Sequence, residues 1–285
     1  MCKSNITLKK FLKLLLWIYF YKFALTLIFA VTGYHQYTLM ELLKTALPVS
    51  AVTDGFTSAY IVFYLFIPFI NILINGMNKK HHMLLMILCI AVYTGIATLR
   101  LSVRFNYVTW FCVLYIIGSY LRLYPEKWFD NTKLCGFAVG ISLILSWMSV
   151  AAIAYVTLRY TGTMNSVYYF VSDVNMPLAL ITGVCAFMFF KNLDIGYRKI
   201  INAVAASSFG VLLIHANSSI MRQWLWKDTL KNIAFMETKW VYIHAIGSVL
   251  GIYAVCTVID LLRFNFLEKP LFKQYDKIRQ KGELK

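Results

Sequence analysis

The chain has 285 residues, of which 60% are hydrophobic and 14% charged, with a formal net charge of +16. A soluble domain carries about 25% charged residues, and this chain has too little polar surface to cover a water-soluble core of its length. Five prolines and 14 glycines exclude a collagenous or low-complexity chain.

The apolar residues fall in runs about twenty long, the length that crosses roughly 30 Å of hydrocarbon at about 1.5 Å per residue. They predict an all-α, polytopic bundle of about eight transmembrane spans in a single membrane domain covering 1–285. The first span covers 11–33. Leu39, Leu42, Leu43 and Leu47 then share one face of a short interfacial helix. The second span, 56–77, contains Pro68, which a membrane helix tolerates when its neighbours satisfy the freed carbonyl. A tight turn, Lys79-Lys80-His81-His82, leads to the third span at 83–99. The remaining spans are 107–123, 134–156, 177–190, 201–220 and 241–262, followed by a charged tail.

The basic residues cluster between and beyond these runs. That placement suits anionic lipid headgroups and makes nucleic acid an unexpected partner. The side holding both termini collects nineteen lysines and arginines, the other side eight, and Lys22 lies inside the first span. Positive-inside bias therefore predicts cytoplasmic termini. The six cysteines (Cys2, Cys89, Cys112, Cys135, Cys185, Cys256) are scattered without a CxxC pair. They read as packing thiols, and no metal site or bound cofactor is expected. Nor is a cleavable signal peptide.

Polar residues inside apolar helices are costly unless they face protein or water. The seventh span carries Ser207, Ser208, His215, Asn217, Ser218 and Ser219. A neutral imidazole at His215 can exchange a proton near physiological pH; an interhelical hydrogen bond is the structural alternative. Arg222 follows, to pair with an anionic substrate or with headgroups, and Trp224 and Trp226 fit an interfacial belt. Arg100 and Arg104 share a face if helical, either as an anion site or as solvated loop charges. Glu41, Asp54 and Asp173 are acids on the same outer side as His215. Asp260 is expected to pair with Arg263, three residues on, and His35, His81 and His82 to sit in solvated boundaries. No HExxH, GxSxG or phosphate-binding glycine loop occurs.

Three stretches resemble the bacterial acyltransferase family 3, membrane enzymes that acylate surface sugars. Residues Lys199 to Ala205, followed by Ser207-Ser208-Phe209-Gly210-Val211-Leu212-Leu213-Ile214-His215 and Trp224-Leu225-Trp226, are similar to that family's small-residue helix, with Leu212 in place of the usual tyrosine. Phe56 to Asn71, with Tyr60 and Pro68, resembles a second conserved stretch; Gly55 stands where an aromatic residue is common. Val258-Ile259-Asp260-Leu261-Leu262-Arg263 resembles the end of the last helix. The resemblance implies transfer of an acetyl or other acyl group from acyl-CoA to a polysaccharide hydroxyl at the plasma membrane of a bacterium. It implies a role for His215 at the reacting centre, for Asn217, Arg222, Arg100, Arg104 and Tyr60 toward the acceptor, and for Lys9 and Lys10 toward acyl-CoA. Family members typically have ten spans, the first bearing an arginine and a histidine that act in transfer. The resemblance thus implies a shortened member, either an incomplete reading frame or a remnant that depends on a partner for the missing two helices, and inactive alone. His35 lacks that motif's context and receives no such role. A transporter or flippase-like subunit for polysaccharide intermediates is the rival expectation, and a structural partner without chemistry a third.

Overall fold

A computed structural model describes residues 7–47, 55–101, 105–164 and 166–283. Those residues are overwhelmingly helical, with no strand among them. In chain order the α-helices are α1 (Leu8–Val31), α2 (Leu39–Ala46), α3 (Phe56–Asn75), α4 (Lys79–Ile90), α5 (Tyr107–Leu123), α6 (Thr132–Thr161) and α7 (Pro177–Asn192). Then come α8 (Lys199–Ala206), α9 (Ser208–His215), α10 (Ser219–Arg222), α11 (Asn232–Phe235), α12 (Val241–Arg263) and α13 (Lys269–Glu283). Wider π turns continue α4 (Ala91–Ile96) and α10 (Gln223–Thr229) and join α12 to α13 (Phe264–Glu268).

Asparagines mark several starts. The side-chain oxygens of Asn106 and Asn131 accept from the amides of Thr109 and Leu134 at 3.0 and 3.1 Å, satisfying helix donors that have no partner within the helix. Gly162 stops α6 at φ +66°, a left-handed conformation that glycine adopts without a Cβ penalty.

Four helical stretches are long and apolar enough to cross a membrane: Leu8–Val31, Phe56–Asn75, Thr132–Thr161 and the continuous Val241–Ile278. A fifth is Lys199–His215 with Ser219–Thr229, taken as one bent pair; Tyr107–Leu123 and Pro177–Asn192 are shorter apolar helices. In Thr132–Thr161 only 6% of the most apolar window is buried within the protein. Its exposed Phe137, Ile144, Trp147 and Tyr155 form a surface suited to hydrocarbon rather than water. The chain thus has the make-up of a helical membrane protein.

The chain divides into two compact units. One comprises residues 55–195 among those described, holding α3 to α7. Its core includes Trp110, Val113, Ile117, Leu121, Cys135, Leu180 and Met188, with Phe63, Ile74 and Tyr115 between α3 and α5. Hydrogen bonds link its helices where apolar packing has no advantage over lipid. Tyr115 donates to Asn71 at 2.7 Å. Asn175 donates at 2.8 Å to the Tyr93 carbonyl, which lies within the π turn that continues α4. His82 corrects a sequence expectation. It is fully buried, not a solvated boundary residue, with Nε2 3.1 Å from the Ile116 carbonyl and 3.3 Å from Ser119 Oγ. A helix starting at Lys79 turns His82 inward, toward α5.

The second unit comprises residues 7–47 and 196–283 among those described, with α1, α2 and α8 to α13. The seventh predicted span is not one uninterrupted helix: Lys199–His215 and Ser219–Thr229 meet at 96°. Asn217 donates back to the Leu213 carbonyl at 3.0 Å, and Ser218 accepts from the Met221 amide at 3.1 Å, so α9 is closed and α10 opened within two residues. The charged tail is helical as well. Val241–Ile278 has 38 residues, roughly 57 Å at the standard rise, well beyond a hydrocarbon core.

Candidate functional site

The second unit contains a buried polar cluster built on α12. Asp260 and Arg263 are each almost fully buried, and Arg263 Nε donates to Asp260 Oδ1 at 3.0 Å. The expected local pair is present, with partners far away in sequence. Trp17 Nε1 and Tyr21 Oη on α1 donate to the same Oδ1 at 2.9 and 2.8 Å. Four residues apart, these two side chains share one face of α1. The Arg263 guanidinium lies 4.9 Å from the Trp17 ring centroid and donates to Glu268 at 2.8 Å.

The Arg263–Glu268 bond depends on the π turn. Residues five apart face different sides of an α-helix, whereas a turn closed by i→i+5 bonds brings them over one another. Lys13 adds a second cation 3.6 Å from Glu268. Two carboxylates and two cations therefore compensate one another where an isolated charge would be expensive.

The small-residue helix meets this cluster at Gly210, where a Cβ would lie 2.3 Å from Asp260 Cγ. Phe209 beside it packs edge-on against Trp17 at 5.2 Å. Further along α9, His215 is partly buried, with Nδ1 2.7 Å from the Val211 carbonyl. A carbonyl only accepts, so Nδ1 carries the proton of the neutral ring and Nε2 holds a lone pair. The bond closes within its own helix and does not join two helices. Asn217 is two residues on, at the helix break, and Arg222 is exposed on α10.

The other predicted residues are distributed as follows. Lys9 is ion-paired with Asp276 on α13 at 2.6 Å, and Lys10 is exposed. Tyr60 belongs to the first unit, where it lines an apolar cavity of about 640 Å³ with Phe56, Phe63, Phe111, Tyr115 and Phe187. Arg100, also in that unit, lies over the Tyr169 ring at 4.9 Å. Arg104 and Asp54 lie outside the described residues.

Sequence reasoning missed Trp17, Tyr21, Glu268 and Lys13. The available signal was that charges in the last apolar span require partners, and the first span offers donors at Trp17 and Tyr21. At the α2 entry, Thr38 and Glu41 cap reciprocally: the Thr38 amide donates to Glu41 at 2.8 Å and the Glu41 amide to Thr38 at 3.3 Å. Glu41 also lies 3.5 Å from His35. The Thr38 hydrogen bonds, and then His35, hold the Glu41 carboxyl below its ordinary value.

No protein-family model, no curated protein and no solved structure matches this chain.

Proposed function

We propose that the chain is an eight-span protein of the bacterial cytoplasmic membrane, both termini cytoplasmic, that transfers an acyl group from acyl-CoA to a hydroxyl of a surface polysaccharide or its lipid-linked precursor. Acetyl-CoA is the first donor to test. The observation that carries this reading is the meeting of Gly210 and Asp260. These residues belong to two of the three stretches that resemble the acyltransferase family, and an accidental likeness between apolar helices gives no reason for them to interlock.

In this reading the acceptor oxygen attacks the thioester carbonyl carbon, and its proton passes to Nε2 of His215. The C–S bond breaks, an ester forms, and the proton leaves with the thiolate as CoA thiol. Asn217 and Arg222 orient the reactants and stabilise the negative charge that develops. Lys10, and Lys9 when released from Asp276, meet the CoA phosphates. Arg100, Arg104 and Tyr60 serve the acceptor. The topology rests on the nineteen-to-eight distribution of basic residues and on counting the two shorter apolar helices, the bent pair, and α4 with the π turn that continues it as spans beside the four long stretches.

The rival reading is a transporter subunit for polysaccharide intermediates. It is favoured by the 96° break that presents His215 and Asn217, since discontinuous helices form midplane substrate sites in transporters.

The deciding assay measures transfer of labelled acetyl from acetyl-CoA to glycan in membranes of the native host, with and without the chain and with His215→Ala. Chain-dependent label that His215→Ala removes is the expected result. No chain-dependent label, alongside chain-dependent movement of a lipid-linked sugar, overturns acyl transfer in favour of transport.

A further inference from the structure

Three helices of the first unit, α3, α5 and α7, enclose the apolar cavity of about 640 Å³. Its lining on α3 runs from Phe56 to Ile67, roughly 16 Å along the helix axis. Its floor includes Phe63, Trp110, Tyr115 and Leu180, all buried. The rim includes Phe56, Leu114 and Phe187, all exposed, and an apolar rim suits hydrocarbon rather than water. No described residue lining the cavity is charged, and the Tyr115 hydroxyl is already given to Asn71.

Two glycines border this space. Gly118 follows Phe111 and Leu114 at helical spacing on the cavity face of α5. Gly183 stands one helical step from both Ala179 and Phe187 on the cavity face of α7. A Cβ at either glycine would meet nothing within 4 Å. No neighbouring atom therefore demands a glycine there, although glycine weakens a helix interior relative to alanine. A longer side chain at either place would enter the cavity.

Volume and shape bear on what fits. Spread over roughly 16 Å of helix, the cavity has a section of roughly 40 Å². A single methylene chain, with carbon contacts at about 4 Å, leaves much of that section empty. Lipid tails are as apolar as the lining, so burial alone gives no preference for the cavity over a bilayer. A flexible chain also loses rotamer freedom on entering, whereas fused rings have little to lose. Their faces gain dispersion contact with Phe63, Phe111 and Trp110. We propose that this cavity binds a rigid, uncharged polycyclic lipid, a sterol or hopanoid, in preference to acyl chains. The site goes beyond acyl transfer and does not need it: ring binding without transfer would retain it, and transfer without ring binding would remove it.

The test uses the full chain in phosphatidylcholine nanodiscs with a photoreactive cholesterol analogue, its cross-links mapped by mass spectrometry. The expected result is saturable labelling of α3, α5 and α7 that unlabelled cholesterol or the hopanoid diplopterol displaces. Phosphatidylcholine carrying the same reactive group on an acyl chain, at equal mole fraction, should label these helices less. Gly118→Leu and Gly183→Leu should each lower sterol labelling about tenfold by filling the space, without lowering the melting temperature. Gly140→Leu on α6, where a Cβ also meets nothing within 4 Å, lies outside the cavity lining and should leave labelling unchanged. Tyr60, given to the acceptor above, stays unaltered throughout. If neither cavity variant folds, displacement on the unaltered chain decides. Labelling that neither polycycle displaces, labelling indifferent to both cavity substitutions, or equal labelling by the acyl-chain probe would overturn the proposal and leave the cavity to ordinary bilayer lipid.

Discussion

The carboxylate of Asp260 occupies the space that a side chain at Gly210 would need, with a Cβ there falling 2.3 Å from Asp260 Cγ and 2.4 Å from Oδ1. The contact couples the small-residue helix α9 to the charge cluster at the end of α12. A methyl group at Gly210 would have to displace a carboxylate already held by Trp17, Tyr21 and Arg263.

Gly210→Ala is accordingly expected to destabilise the protein by about 1–3 kcal/mol, the usual range for overpacking a filled site. Gly118→Ala on α5, where a Cβ meets nothing within 4 Å, serves as the control. Thermal unfolding of both variants in detergent checks this. Equal melting temperatures would contradict the packing account.

Arg263→Met should cost about 3–5 kcal/mol, because it leaves Asp260 and Glu268 buried with one cation fewer. Adding Glu268→Gln and Asp260→Asn should restore part of that loss, since the uncompensated carboxylates are then gone. A mutant cycle read by denaturant unfolding measures the coupling. Strict additivity would show that the three groups do not act together.

Asn175→Ala leaves the Tyr93 carbonyl without its side-chain donor in the π turn. The expected loss is about 1–3 kcal/mol, the cost of an unsatisfied buried polar group. Hydrogen exchange should accelerate across Ala91–Ile96 more than in α6. Uniform exchange rates would remove Asn175 from the account of that turn.

Glu41 gives α2 a pH dependence of definite sign. Its folded pKa lies below the ordinary carboxylate value, with the Thr38 hydrogen bonds as the largest cause. Stabilisation of α2 is therefore present above that value and lost as pH falls through the folded value. Amides of Leu39–Ala46 should become less protected in that acidic window, after correction for intrinsic exchange. Glu41→Gln should show no such pH step.

Where a helix is defined by its own residues, sequence and structure agree closely. The span predicted at 107–123 is α5, started by Asn106, and the one predicted at 177–190 is α7, started by Pro177 at its first position. The leucines of α2 and passage of α3 through Pro68 follow the same local logic. His82 did not, because its neighbours Lys79 and Lys80 suggest solvent while its burial depends on Ile116 and Ser119 of α5. The seventh span departs from one continuous helix for a related reason. Its run is apolar enough to continue, but Asn217 and Ser218 direct their side chains to backbone groups and turn the chain.

The sequence by itself determined that this is an all-helical chain with helices long and apolar enough to cross a membrane, because apolar run length and helix caps are local properties set against hydrocarbon thickness. It also exposed the unusual polar residues: His215 and Asn217 in the seventh apolar run, Asp260 at the end of the last, and Arg100 beside the third. Tertiary structure alone decided their partners. Trp17 and Tyr21 reach Asp260 across more than two hundred residues, and Thr157, Thr161 and Tyr169 gather around Arg100 from separate segments. The physical reason is that buried charges and hydroxyls must find donors and acceptors wherever packing brings them, a requirement sequence spacing states but cannot resolve.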